Sequence, residues 1–175
     1  TTRQVSSAAS DVYKRQYTSI LSRVSDTEYD VIVAGYGPVG ETCANLLGYY
    51  GIKALILDKE KETFPLPRAI TWDAECQRAM AHCNFLTEVK TRKIRGVDNK
   101  DAKKRSILKI TMDGFDTYNY QHSILFIHQP QFDQAHRENA KKYQTNTIRT
   151  GNEILSVDQS DGVVNCSYKN IETGE

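Results

Sequence analysis

Apolar positions along this chain fall first into short continuous runs and later into alternating ones. Residues 29–34, Tyr29-Asp30-Val31-Ile32-Val33-Ala34, end in a β-branched run closed by Gly35, which predicts a buried strand. Residues 35–40 read as a glycine-rich turn. Over 42–50, Cys43, Ala44, Leu46 and Leu47 recur at helical spacing, and Gly51 stands where a helix C-cap glycine belongs. Residues 52–58, Ile52-Lys53-Ala54-Leu55-Ile56-Leu57-Asp58, predict a second buried strand. Strand, turn, helix and strand within about 30 residues make a βαβ unit, so the two strands should be parallel and joined by a right-handed crossover.

Beyond this unit the pattern changes. A proline-containing loop (64–67) precedes a predicted helix over 73–83, and 107–112 and 123–127 read as strands. Gln129-Pro130 reads as a stop signal, followed by a polar, amphipathic helix over 131–143. Residues 147–149, 153–159 and 163–168 read as three short strands, the last two joined by the hairpin turn Ser160-Asp161-Gly162. The fold class predicted is α/β: a Rossmann-like domain whose parallel sheet opens with the βαβ unit, plus a small antiparallel β-meander. Residues 171–175 carry a further turn signal with no returning strand, so the domain is expected to be incomplete, truncated at its C-terminal end. Residues 1–25 hold no sustained apolar period and are assigned to a leader, leaving 26–175 as the domain.

Composition narrows the function. The 175 residues (19.9 kDa) are 39% hydrophobic and 26% charged, enough to bury one core. The longest apolar runs fall far short of the roughly 20 residues of a membrane span. A net charge of +1 gives no global field toward nucleic acid or membrane. Nine basic residues against Asp98 and Asp101 make 90–109 a local exception. It lacks the interleaved aromatics of a single-strand binder and reads as an irregular, solvated excursion. Cys43, Cys76, Cys83 and Cys166 form no C-x-x-C pair and follow no secretory signal, which predicts reduced thiols and a cytoplasmic protein. His82, His122, His128 and His136 show no zinc spacing, so no metal site is predicted.

The chemistry is concentrated at Gly35-Tyr36-Gly37-Pro38-Val39-Gly40, a G-x-G-x-x-G run. By itself that motif is weak. Here it follows a strand, opens a helix and is answered by Asp58 at the end of the next strand, the context a dinucleotide fingerprint requires. Gly35 permits the tight turn, Gly37 lets a pyrophosphate approach the backbone, and Gly40 lets the helix pack close to the sheet. The helix N-terminus offers unpaired N–H groups and partial positive charge to the phosphates. Asp58 has the geometry to accept both ribose hydroxyls of an adenosine, with Lys59 beside it. The bland alternative is a tight βα turn that binds nothing.

The stretch from Asp30 to Gly40, with Ala44-Asn45-Leu46-Leu47 after it, resembles the start of the FAD-dependent aromatic hydroxylases, the single-component flavin monooxygenases typified by p-hydroxybenzoate and hydroxyphenylpropionate hydroxylases. Leu66-Pro67-Arg68-Ala69 is similar to the family's arginine segment, which implies that Arg68 lies against the flavin. Phe126-Ile127-His128-Gln129-Pro130-Gln131-Phe132-Asp133 resembles the stretch whose glutamine contacts the FAD ribitol, which implies that role for Gln129. Arg137 falls where that helix usually carries a Leu-Arg pair, although His136 replaces the leucine. Residues 151–164 resemble the strand meander that follows. The resemblance implies FAD reduced by NADPH or NADH, molecular oxygen as co-substrate, and hydroxylation of a small phenolic ring. No catalytic residue is assigned, and the family's later flavin motifs do not occur in the sequence, so this chain is expected to be inactive alone. Two alternatives share the fingerprint: an NAD-dependent Rossmann dehydrogenase, which calls for further strand–helix units after Asp58, and a non-catalytic dinucleotide-binding module.

Overall fold

A computed structural model describes residues 28–66, 68–83, 90–112, 116–117, 121–122 and 124–174. The leader assigned to 1–25, and Pro67 of the arginine segment, lie outside the described residues. Strand β1 (Val31–Ala34), helix α1 (Pro38–Tyr49) and strand β2 (Ala54–Asp58) form the expected βαβ unit, with β1 and β2 parallel and Val31 opposite Ala54. β2 is the central strand of a three-stranded parallel sheet. Its unbroken run Ala54-Leu55-Ile56-Leu57 is buried at every position, as a strand covered on both faces requires.

Two glycines set the geometry of the turn between β1 and α1. Gly35 sits at φ +100°, a left-handed region that residues with a side chain rarely adopt. Gly40, in the first turn of α1, leaves no space: a Cβ there would lie 3.0 Å from the Gly35 carbonyl carbon and closer still to its oxygen. Proline at the first helical position lets α1 begin at Pro38, four residues before the apolar spacing shows it, because that N–H has no helical partner to lose.

Strands β3 (Ala69–Asp73), β4 (Thr91–Lys93) and β9 (Ile124–His128) make a second, antiparallel sheet in the order β3-β9-β4. Helix α2 (Ala74–His82) follows β3 directly, with the Asp73 carboxylate accepting the Cys76 N–H as its N-cap. Trp72, Met80, Leu125, Ile127 and Phe132 form the core against this sheet, and Tyr36, Ala44, Ala54, Ile56 and Ala140 form the core of the parallel one. Helix α3 (Gln129–Ala140) contributes to both, through Phe132 and Ala140. The remaining strands pair as three hairpins: β5 (Gly96–Lys100) with β6 (Ser106–Thr111), β7 (Asp116–Thr117) with β8 (Gln121–His122), and β11 (Asn152–Ser160) with β12 (Val163–Asn170).

The strand expected over 147–149 is β10 (Asn146–Thr150), and it pairs in parallel with β2. The antiparallel part is therefore the two-stranded β11–β12 hairpin, closed at Asp161 and Gly162, both at positive φ. Gln129-Pro130 does not stop the chain before a helix; it is the first turn of α3, with proline again tolerated at the start. The basic stretch is not irregular, since it holds β4 and β5, whose residues apart from backbone pairing are exposed. Its turn is fixed by Asp101, whose carboxylate accepts the Lys103 and Arg105 N–H groups at 2.8 and 2.9 Å.

The crowding at Gly40 makes a direct prediction. Gly40→Ala should lower stability by roughly 1–3 kcal/mol, because backbone rather than a flexible side chain must move. Gly37→Ala, with nothing within 4 Å of its Cβ position, should unfold at nearly the parental denaturant concentration. Urea unfolding of both variants checks the contrast, and equal midpoints would contradict it.

Candidate functional site

The turn lies at the carboxyl ends of the parallel strands, where open α/β sheets receive ligands. Gly37 is the N-cap of α1, carries no side chain to cap it, and opens onto free space. Pro38 and Val39 follow on the exposed side, while Gly40 is buried against Gly35. The first turn of α1 therefore points toward solvent without the side-chain oxygen that usually satisfies it.

Asp58 is brought to this turn by the register of β1 and β2. Its Oδ2 accepts the Tyr36 N–H at 2.8 Å and its Oδ1 accepts the Glu60 N–H at 3.0 Å. The carboxylate thus ties the end of β2 to the glycine turn, and each oxygen keeps a lone pair for a further donor. Lys59 points outward, with its Nζ 3.9 Å from Glu60. Arg68 is exposed and its guanidinium carbon stands 4.6 Å from the centre of the Phe64 ring. Gln129 is buried: its Nε2 donates to Asp133 Oδ2 at 3.3 Å, and its Oε1 has no hydrogen-bond partner. Arg68 and Gln129, distant in sequence, become neighbours in the fold, each one residue beyond the Ala69–His128 pair of β3 and β9.

A buried polar layer under the turn was not expected from the sequence. Glu41, fully buried in α1, accepts from Arg137 Nε at 2.7 Å. Arg137 Nη2 also donates to the Tyr36 carbonyl oxygen, and its guanidinium carbon lies 4.7 Å from the Tyr36 ring centre. An open pocket of about 640 Å³ adjoins this layer, lined by Tyr36, Arg137, Lys61, Thr63, Lys141 and Ile148 among others. His136 occupies the leucine position of the helix as a core residue. It is fully buried, its Nδ1 donates to the Phe132 carbonyl at 3.0 Å, and its ring centre lies 3.9 Å from that of Phe132 with the planes tilted by 45°.

Burial governs protonation in this layer. It pushes the Glu41 carboxyl up to about 8 against the hydrogen bond from Arg137, and the nearby Asp133 and Asp58 charges add to the rise. Burial raises the Asp133 carboxyl as well, and it holds the His136 imidazole down to about 4, so that ring is neutral.

A family described as FAD binding domain matches residues 28–175. The 3-(3-hydroxy-phenyl)propionate/3-hydroxycinnamic acid hydroxylase of Comamonas testosteroni is 26% identical over 156 residues, covering 86% of this chain and 26% of that protein. The protein of the same name from Mycolicibacterium gilvum is 38% identical over 63 residues, 36% of this chain and 11% of that one. Among solved structures, p-nitrophenol 4-monooxygenase from Pseudomonas putida superposes with a TM-score of 0.69 at 24% identity, covering 82% of this chain and 37% of that one. The flavin-dependent monooxygenase PieE, solved with FAD and substrate, superposes at 0.66 with 17% identity, covering 86% and 28%. This chain spans about a quarter of the length of the curated relatives it matches along most of its own.

The buried layer makes stability depend on pH with a definite sign. Glu41 titrates higher when folded than its ordinary 4.5, so its contribution is full below about 4.5 and is lost as pH rises through about 8. His136 titrates below its ordinary 6.5, so its contribution is lost as pH falls from 6.5 toward 4. At about 1.4 kcal/mol per pKa unit, roughly 1–3 kcal/mol should disappear between pH 6 and pH 9. Glu41→Gln should flatten that decline in thermal melts; a variant curve parallel to the parent's would contradict the assignment.

Proposed function

Because the chain belongs to the FAD-binding domain family, we propose that it holds the ADP half of FAD in a flavin-dependent hydroxylase of small phenolic substrates. The observation that carries this reading is the open, uncapped turn at Gly37 with the Asp58 carboxylate fastened beside it. The residues present fit the cofactor. The N-terminus of α1, from Gly37 through Pro38 and Val39, would hold the pyrophosphate, with Gly35 and Gly40 fixing the turn beneath it. Asp58 would accept the ribose hydroxyls on the lone pairs left by Tyr36 and Glu60, and Lys59 would stand at the rim. Arg68 and Gln129, adjacent at one end of the β3–β9 pair, would face the ribitol and ring. Gln129 Oε1, buried and without a partner, is an acceptor that such a ligand would satisfy.

Bound FAD, reduced by NADPH or NADH, would supply the chemistry that places one atom of molecular oxygen on the ring. The contribution of this chain is binding and orientation. The aromatic substrate is inferred from the relatives, whose names specify hydroxyphenylpropionate and hydroxycinnamate. A carboxylate at Asp58 would repel a 2′-phosphate, so the turn should prefer FAD or NAD over NADP. A cytoplasmic location belongs to the same proposal; among the described residues no helix is long and apolar enough to cross a membrane.

Titration with FAD, followed by quenching of flavin fluorescence, tests the reading. The parent chain should bind. Asp58→Ala should weaken binding at least about tenfold, since charge-assisted hydrogen bonds contribute roughly 1.5–3 kcal/mol each. Gly37→Ala should weaken binding while unfolding like the parent, because its methyl group would occupy the pyrophosphate's approach. A parent chain that leaves flavin fluorescence unchanged would overturn the proposal.

A further inference from the structure

The turn that would meet the pyrophosphate has little side-chain support of its own. Two of its first three residues are glycines, and Gly37 touches nothing at its Cβ position. Tyr36, between them, is gripped at every polar point of its peptide. Its N–H donates to Asp58 Oδ2 at 2.8 Å, and its carbonyl accepts from Arg137 Nη2. Its ring lies 4.7 Å from the Arg137 guanidinium carbon. Arg137 reaches this position from α3, 101 residues along the chain, and is aimed there by Glu41, which takes Nε at 2.7 Å. The same Nη2 stands 3.9 Å from Asp58 Oδ2, so one guanidinium faces both the carboxylate and the carbonyl around the Tyr36 peptide.

We propose that Arg137 is a positioning residue: from α3 it fixes the Tyr36 peptide and thereby sets the face that Gly37 presents to the dinucleotide. The proposal takes its ligand from the FAD reading above, but its mechanics stand on the chain alone. The guanidinium matters for its shape. A planar fork donates to Glu41 and to the Tyr36 carbonyl at once, whereas a lysine ammonium supplies the charge from a single point. The burial of Glu41 fits this use. Its Oε1 takes Arg137 Nε, which leaves Nη2 directed to the Tyr36 carbonyl.

The test compares the parent chain with Arg137→Lys and Arg137→Met by three measurements: thermal unfolding, FAD affinity, and amide hydrogen exchange without FAD. Arg137→Lys should unfold close to the parent, yet exchange at the Tyr36 amide should quicken about fivefold or more while the β2 amides keep the parental rate. FAD affinity should fall by about fivefold or more in the same variant, and further in Arg137→Met. Parental exchange at the turn together with parental affinity in Arg137→Lys would overturn the proposal. If the parent binds no FAD, the cofactor reading fails, and exchange at the turn alone decides the role of Arg137. Should both variants fail to fold, the parent answers. Arg137 guanidinium N–H signals slowed in exchange support the grip, and ones exchanging like a free arginine side chain overturn it.

Discussion

The hydrogen bond from the Tyr36 N–H to the Asp58 carboxylate joins the turn after β1 to the end of β2, and the rest of the site depends on it. Two parallel strands in register bring their carboxyl ends level, but they do not fix the loop that leaves the first of them. The carboxylate does this at one end of the Tyr36 peptide, and the close contact between Gly40 and Gly35 does it at the other side of the turn. With both in place, α1 starts where its unsatisfied N–H groups face solvent, and an anion can reach them without displacing a side chain.

Beneath this backbone arrangement lies a second constraint, electrostatic rather than steric. Glu41, Asp133 and Arg137 are removed from water between α1, α3 and the turn. A buried ion pair is weak evidence of stabilisation, because desolvation offsets most of the attraction. Burial displaces both the Glu41 and the Asp133 carboxyls upward, against the lowering effect of the Arg137 charge on each. What such a layer supplies is direction: Arg137 has one position in which it meets both Glu41 and the Tyr36 carbonyl.

The sequence carries the βαβ unit openly, because a continuous apolar run, a glycine turn and a C-cap glycine are local signals. β1, β2, the close packing at Gly40 and the placing of Asp58 at the turn follow from them. Other features were hidden for physical reasons. β10 shows only a short alternation, and nothing in it reveals whether its partner runs parallel or antiparallel; that choice is made by β2, some ninety residues earlier. β4 and β5 have no apolar face at all and exist through backbone pairing, so periodicity passed over them. The start of α3 was masked by Gln129-Pro130, which reads as a stop signal but occupies the first turn, and α1 begins at Pro38, ahead of the apolar spacing that reveals it. Glu41 was legible only as a charge in an otherwise apolar helix, and its partner lies 96 residues away. His136 departs from the resemblance in residue type and is buried, neutral and packed on Phe132.

The central claim is that the turn at residues 35–40, with Asp58, is where a dinucleotide binds. Backbone amide chemical shifts of the isotope-labelled chain, followed while ADP is added, test it most directly. The account predicts saturable shifts concentrated at Gly37, Val39, Gly40 and the amides around Asp58, with the β5–β6 hairpin unmoved. Shifts confined to that basic hairpin, or none at saturating ADP, would contradict it.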